Sequence, residues 1–238
     1  MLSLSFVTGT EPGKWFDRYR DRTNHGGLHE DPSDDPFSQP TQLKLMRLPD
    51  ARVDPERFHI VRLYEEASGI AVPVDHTLTL VDEISEDDVA EEKILYRYEG
   101  GEVDIQAVRD NLQVVAANVG VVIAPRPLLK VLAGKKIETR NFRSTTTGVP
   151  ATTIALVWEK DADSEAIQDF VGIAKGRTLN SSRQAGGETA KSSKKSTAQS
   201  KPSAKARGSA TRKYGRQANQ RAHGRGSSKQ GRGGRRRR

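Results

Sequence analysis

LQVVAANVGVVIAPRPLLKVL, residues Leu112 to Leu132, is the longest apolar block of the chain. It reads as the end of a helix (Val108 to Asn118), a turn at Val119-Gly120, a short buried strand (Val121 to Ala124) and a new helix opened by Pro125-Arg126-Pro127. Gly120 suits a helix C-terminus, where a left-handed residue is often needed. The four apolar, mostly β-branched residues after it suit a strand covered on both faces. Pro127 suits a first helical turn, where its missing N–H costs nothing. Helix, glycine, strand and helix in this compression predict an α/β fold.

Working outward on the N-terminal side, Leu2 to Val7 alternates and then turns apolar, which predicts a strand. Thr8-Gly9-Thr10 follows, with Thr10 as the expected N-cap of a helix over Pro12 to Arg22. Trp15, Phe16, Tyr19 and Thr23 form that helix's inner face. A strand that empties onto a helix N-terminus can bind anions, or it is an ordinary βα turn. Thr23 to Thr41 is rich in Gly, Asp and Pro, has no period, and reads as loop. His25 and His29 stand there near Asp31, Asp34 and Asp35, but Gly26-Gly27 argues against a metal set. Strands are expected at Gln42–Pro49, Phe58–Tyr64, Glu66–Pro73 and Ile94–Tyr98. A short helix capped by Ser85 is expected between the last two, and an amphipathic helix over Val103 to Asn118, with Ile105, Val108, Leu112, Val115 and Ala116 inward. On the C-terminal side, Ile137–Phe142 is a weak strand and Thr152–Trp158 a strong one. A helix over Ser164 to Lys175 buries Ile167, Phe170, Val171 and Ala174.

Charge divides the chain. Residues 1–175 hold 20 Lys/Arg against 30 Asp/Glu, and residues 176–238 hold 19 against the single acid Glu188. The sequence is therefore an acidic globular body with a cationic tail. The body is long enough to bury a core. The tail, with Gly, Ser, Lys and Arg dominating, is expected to be disordered. Its cations include Lys194, Lys195, Arg207, Arg212, Lys213, Arg216, Arg221, Arg225, Arg232, Arg235, Arg236, Arg237 and Arg238. Spaced cations of this kind neutralise phosphates and bind DNA or RNA with little sequence preference; the alternative is a tail that only solubilises or folds back on the body. There is no cysteine, which excludes disulfides and thiolate chemistry. No apolar run is long enough for a membrane span, and a cytoplasmic protein is expected, either free or nucleoid-associated. The phosphate-binding loop, the G-x-S-x-G elbow and the H-E-x-x-H zinc motif are absent, so no enzyme and no cofactor is expected.

Five segments, in order, resemble the substrate-binding (effector-binding) domain of LysR-type transcriptional regulators. VAANVGVVIAP (115–125) resembles its VAAGLGVALLP segment, and QLKLMRLP (42–49) its DLALVRLP. The stretch 58–78 resembles LYEEPLVLALPADHPL, which makes His76 a structural turn cap. SEDDVAEEKIL (85–95) resembles VSLADLADEPFI, and TTIALVWEKDADSEAIQDFVGIAK (152–175) resembles the terminal TRLALVWRRDDRSPAVRAFLAAL. The resemblance covers about residues 1–176 and implies a trimmed, two-lobed, periplasmic-binding-protein-like α/β domain (type 2). Lobe one is expected at about 1–72 and 159–176 and lobe two at 73–158, with crossovers near Val72–Asp75 and Val157–Asp161. It also implies a small organic, anionic effector in the cleft, lined by Thr8, Gly9, Thr10, Arg47, Leu48, Val119 and Gly120, with Arg47 either as the carboxylate partner or paired only with a local acid, and a homodimer. The winged helix-turn-helix of the family has no counterpart here. The expected function is thus non-enzymatic effector binding in transcriptional regulation, with nucleic acid held by residues 177–238. The alternative is a general nucleic-acid- or ribosome-associated protein whose body no longer binds a ligand.

Overall fold

The computed structural model describes residues 1–145 and 149–177. The expected tail residues beyond 177 lie outside the described residues. The described residues fall in one compact unit.

Two five-stranded sheets organise it. The first is built from β1 (Leu2–Val7), β2 (Leu28–Ser33), β3 (Leu43–Leu48), β4 (Phe58–Glu65) and β10 (Thr153–Glu159), in the order β2-β1-β3-β10-β4. The second holds β5 (Ser68–Pro73), β6 (Glu83–Ser85), β7 (Ile94–Arg97), β8 (Val121–Pro125) and β9 (Ile137–Arg143), in the order β6-β9-β5-β8-β7. Helices α1 (Gly13–Arg22) and α4 (Glu165–Ala174) belong to the first lobe; α2 (Ile105–Val115) and α3 (Arg126–Leu132) belong to the second.

The stretch 112–132 folds in the expected order of helix, turn, strand and helix. Asn118 and Gly120, in the turn that follows α2, both take positive φ, 62° and 71°. All five residues of β8 are buried, and Pro127 sits in the first turn of α3. Phe170 of α4 packs against Tyr19 and Phe16 of α1, in one cluster with Leu2 and Leu4 of β1. That cluster continues through Val108, Leu112, Ala124 and Leu128 of the second lobe, so this core cluster runs through both lobes.

Several expectations are corrected. The stretch 23–41 is not all loop: β2 pairs in parallel with β1 from Leu2↔Leu28 to Val7↔Ser33. It lies at the sheet edge, where Pro32 removes no needed ladder bond, and none of its six residues is fully buried. Thr10 does not cap α1, because its hydroxyl donates to Val7 O at 2.7 Å. The residue preceding α1 is Pro12. Asp104 caps α2 instead, accepting from the Ala107 amide at 2.8 Å, so that helix begins at Ile105 rather than Val103 and ends at Val115 rather than Asn118. Ala174 and Ala116 are only half-buried; Ile173 joins Ile167, Phe170 and Val171 in the α4 stripe. No helix follows Ser85, only a three-residue 3-10 turn at Asp87–Val89. There the Asp88 carboxylate folds back to accept from the Ser85 amide (2.8 Å) and hydroxyl (2.6 Å).

The lobe boundaries move as well. β4 pairs with β10 in the first sheet, and β5 pairs with β8 and β9 in the second. The crossovers therefore fall between Glu65 and Ser68 and between Arg143 and Thr153, not near 72–75 and 157–161. Strand β10 belongs to lobe one, because its hydrogen-bond partners β3 and β4 lie there.

Candidate functional site between the two sheets

Strand β1 ends at Val7 and the chain turns at Thr8-Gly9-Thr10. Gly9 has φ +95°, and a Cβ on it would lie 2.9 Å from Leu128 Cα and 3.0 Å from Arg47 Nη2. Glycine is required twice here, for the left-handed backbone and for the approach of lobe one to the first turn of α3. Thr8 donates its hydroxyl to Asp34 Oδ1.

Arg47, on β3, is buried at this junction. Its Nε donates to Glu66 Oε2 at 2.6 Å, and its Nη2 to Glu66 Oε1 at 2.9 Å and to Thr8 O at 3.2 Å. Thr152 closes the network by donating its hydroxyl to Glu66 Oε2 at 2.8 Å, while the Glu66 amide donates to Thr152 O at 2.8 Å. Glu66 and Thr152 lie on the two crossovers, so the network ties both to β3. Arg47 is thus in the cleft, but its fork is filled by the chain's own carboxylate. Of the two expected readings of Arg47, the geometry is that of pairing with a local acid. Its Nη1 is buried without a hydrogen-bond partner among the described residues.

Three further expected positions leave the cleft. Leu48 is buried in a separate cluster with Met46, Phe58, Ala155 and Val157. Val119 is exposed and Gly120 packs on Lys93 O, at the N-terminal end of β8. Pro125 and Arg126, which do reach the interlobe region, lie at its other end.

The structure brings Gly9 and Thr10 together with residues that the sequence reading left out. They line a recess of about 380 Å³ with Glu11, Trp15, Tyr64, Ala67, Arg126, Pro127 and Lys130. Its size is within the range of small-molecule sites. Trp15 and Tyr64 are the aromatic walls. Burial, followed by the Glu66 carboxylate, pushes the Tyr64 phenol above its ordinary pKa, which keeps it a neutral hydroxyl. Neither Arg126 nor Lys130 has a carboxylate within ion-pair distance among the described residues, and Arg126 Nε is buried without a partner there. The signal for Arg126 was present in the sequence: a cation between two prolines at a helix start is held at a fixed position.

A second recess of about 210 Å³ flanks the other side of the network. Glu66, Ser68, Arg97, Tyr98, Phe142 and Thr152 are among its walls. Arg97, the cation in its lining, is already paired with Glu86, so this recess is the poorer host for an anion. His76 accepts from the Leu78 amide at 3.2 Å and caps its turn as expected. His25 pairs with Asp169 at 2.9 Å and stacks on Tyr19.

No family description matches the sequence, and no curated protein matches it either. Solved structures do match in shape. A cysteine-to-aspartate variant of full-length OxyR from Pseudomonas aeruginosa superposes with a TM-score of 0.52 at 17% identity, covering 75% of this chain and 68% of that one. The effector-binding domain of BenM with its effector benzoate gives a TM-score of 0.52 at 16% identity, covering 73% and 90%. A variant of that BenM domain gives 0.53 at 14%, covering 73% and 92%. The fold is that of a LysR-type effector-binding domain. This effector-domain fold accounts for nearly the whole length of the isolated BenM domain and about two-thirds of the full-length OxyR. The shared architecture is two α/β lobes joined by two crossovers, in the periplasmic-binding-protein-like manner.

Proposed function

We infer that the body is a non-enzymatic regulatory domain that binds a small organic anion in the recess between α1 and α3, and that residues 177–238 hold DNA or RNA without sequence preference. The observation that carries the first part is the placing of Arg126 and Lys130, neither in an ion pair among the described residues, beside the Trp15 and Tyr64 walls, in a lining whose one acid is Glu11. Two cations and two aromatic rings suit a compact carboxylate with an apolar body. Arg126 takes the role that the sequence reading gave to Arg47. The BenM domain carries benzoate in the same fold, which makes benzoate the first probe. A ligand that binds the native state alone must raise the melting temperature. Benzoate should do so for the full chain, and Arg126→Ala with Lys130→Ala should remove the rise. A benzoate-induced rise that survives the double substitution places the site elsewhere.

The second part rests on charge: 19 cations against one acid from residue 176 onward, on a body with ten more acids than bases. This favours a cytoplasmic protein tethered to nucleic acid and modulated by its body. The resemblance adds a homodimer, which sedimentation as a monomer at high micromolar concentration would rule out.

A further inference from the structure

The anion-recognising groups that the sequence singled out, Thr8 and Arg47, both hold carboxylates, and both carboxylates are this chain's own. Glu66 fills the Arg47 fork. Asp34, in the loop after β2, accepts from Thr8 through Oδ1 and from Arg109 Nη2 of α2 through Oδ2, the latter at 2.8 Å. Asp34 therefore bridges from lobe one to lobe two. A second bridge runs beside it, from Arg52, after β3, to Glu102, before α2, at 3.5 Å. Between these bridges the cleft is reduced to about 30 Å³, walled by Asp34, Arg47 and Asp50 of one lobe and Val103 and Ile105 of the other. That is room for about one water molecule.

We propose that this domain closes on itself: Asp34 and Glu66 occupy the places of an effector's carboxylate, and the lobes stay together with no ligand bound. The proposal rests on the anion reading only for the identity of the probe, since the closure is argued from the chain's own contacts. A ligand in the α1–α3 recess then binds a domain already shut and modulates it from the flank. All four partners of the two bridging pairs are about half exposed, with side-chain exposures of 42% and 45% for Arg109 and Asp34 and 43% and 58% for Arg52 and Glu102. They are screened by salt. Together they bias the open–closed equilibrium by about tenfold.

The chain has no cysteine, so Glu56→Cys and Gln113→Cys give unique labelling sites on exposed positions of the two lobes. Spin-label distances in the full chain read the lobe separation directly. The expected result is one narrow, short distance without ligand that benzoate leaves unchanged. Asp34→Ala with Glu102→Ala, or high salt on the otherwise unaltered chain, should add a longer-distance population. A broad or long distance that contracts when benzoate is added overturns the proposal, because closure is then ligand-driven. An unchanged distance in both the double variant and high salt also overturns it, because the bridges then hold nothing. Melting curves with benzoate are recorded on the same samples. If benzoate gives no stabilisation while the double variant opens, the anion reading fails and self-closure stands.

Discussion

Arg47 shows how far a residue type can be read without its neighbours. A lone Arg at the end of a strand, near a helix N-terminus, is the right chemistry for a carboxylate, and it does hold one. That the carboxylate is Glu66 depends on the crossover starting at residue 66, which no local pattern reveals. The pair is among the most buried ion pairs described, with side chains 4% and 0% exposed. Removing one partner strands a buried charge, so Arg47→Ala should destabilise the fold by about 3–5 kcal/mol. Replacing both by Met and Leu should recover most of that loss, because a buried pair is often no better than apolar residues of similar volume. Urea unfolding of the three proteins distinguishes these outcomes. Asp50 gives a pH-dependent counterpart. Burial pushes its carboxyl up, but hydrogen bonds from the Arg52 side chain and amide hold it below its ordinary value overall. A carboxyl depressed in the folded state adds stability at neutral pH that is lost as pH falls through its folded pKa. Asp50→Asn should therefore lower stability at pH 7 and flatten the acid limb of melting temperature against pH.

At the scale of elements, legibility followed the apolar pattern. Strands β1, β3, β8 and β10 and helices α2 and α4 carry runs or stripes that their own burial explains, and each lies within a few residues of its expected place. The edge strand β2 was not legible, because an edge needs only one set of hydrogen bonds and tolerates Leu-His-Glu-Asp-Pro-Ser, which has almost nothing to bury. The helix expected after Ser85 failed for the opposite reason: its three acids suit a helix start, but Asp88 satisfies Ser85 locally and the turn ends there. Capping was misassigned by a residue type found in two places. Thr10 is spent on Val7 O, whereas Asp104 makes the cap of α2. Asp104→Ala should cost about 1 kcal/mol, measurable as a lower urea midpoint with an unchanged slope. Thr10→Val should leave α1 intact, as helical circular dichroism can verify.

The whole molecule was legible in its charge and only partly in its topology. The division into an acidic body and a cationic tail follows from counting. The candidate recess needed the three-dimensional meeting of α1, β4 and α3, so only Gly9 and Thr10 of its residues were anticipated. The tail leads to a prediction independent of the fold. Affinity for duplex DNA should fall with salt, each phosphate neutralised adding about 0.9 to the slope of log K against log salt, and about 0.7 on single strands. A chain ending at Arg177 should lose binding, while the isolated tail should bind more tightly than the full chain, since the body's net negative charge repels the polyanion. Retention of binding by the shortened chain at physiological salt would transfer the nucleic-acid function to the body.

Strand β10 enters between β3 and β4, although 104 residues (49–152) separate it from the first and 87 (66–152) from the second. During synthesis, β4 leaves the ribosome with no neighbour in its own sheet. It must wait until the second lobe has been made and the chain has come back. The half of the molecule that is translated first is thus completed last, and a nascent chain that stalls before residue 153 has a finished second sheet beside a first one split in two.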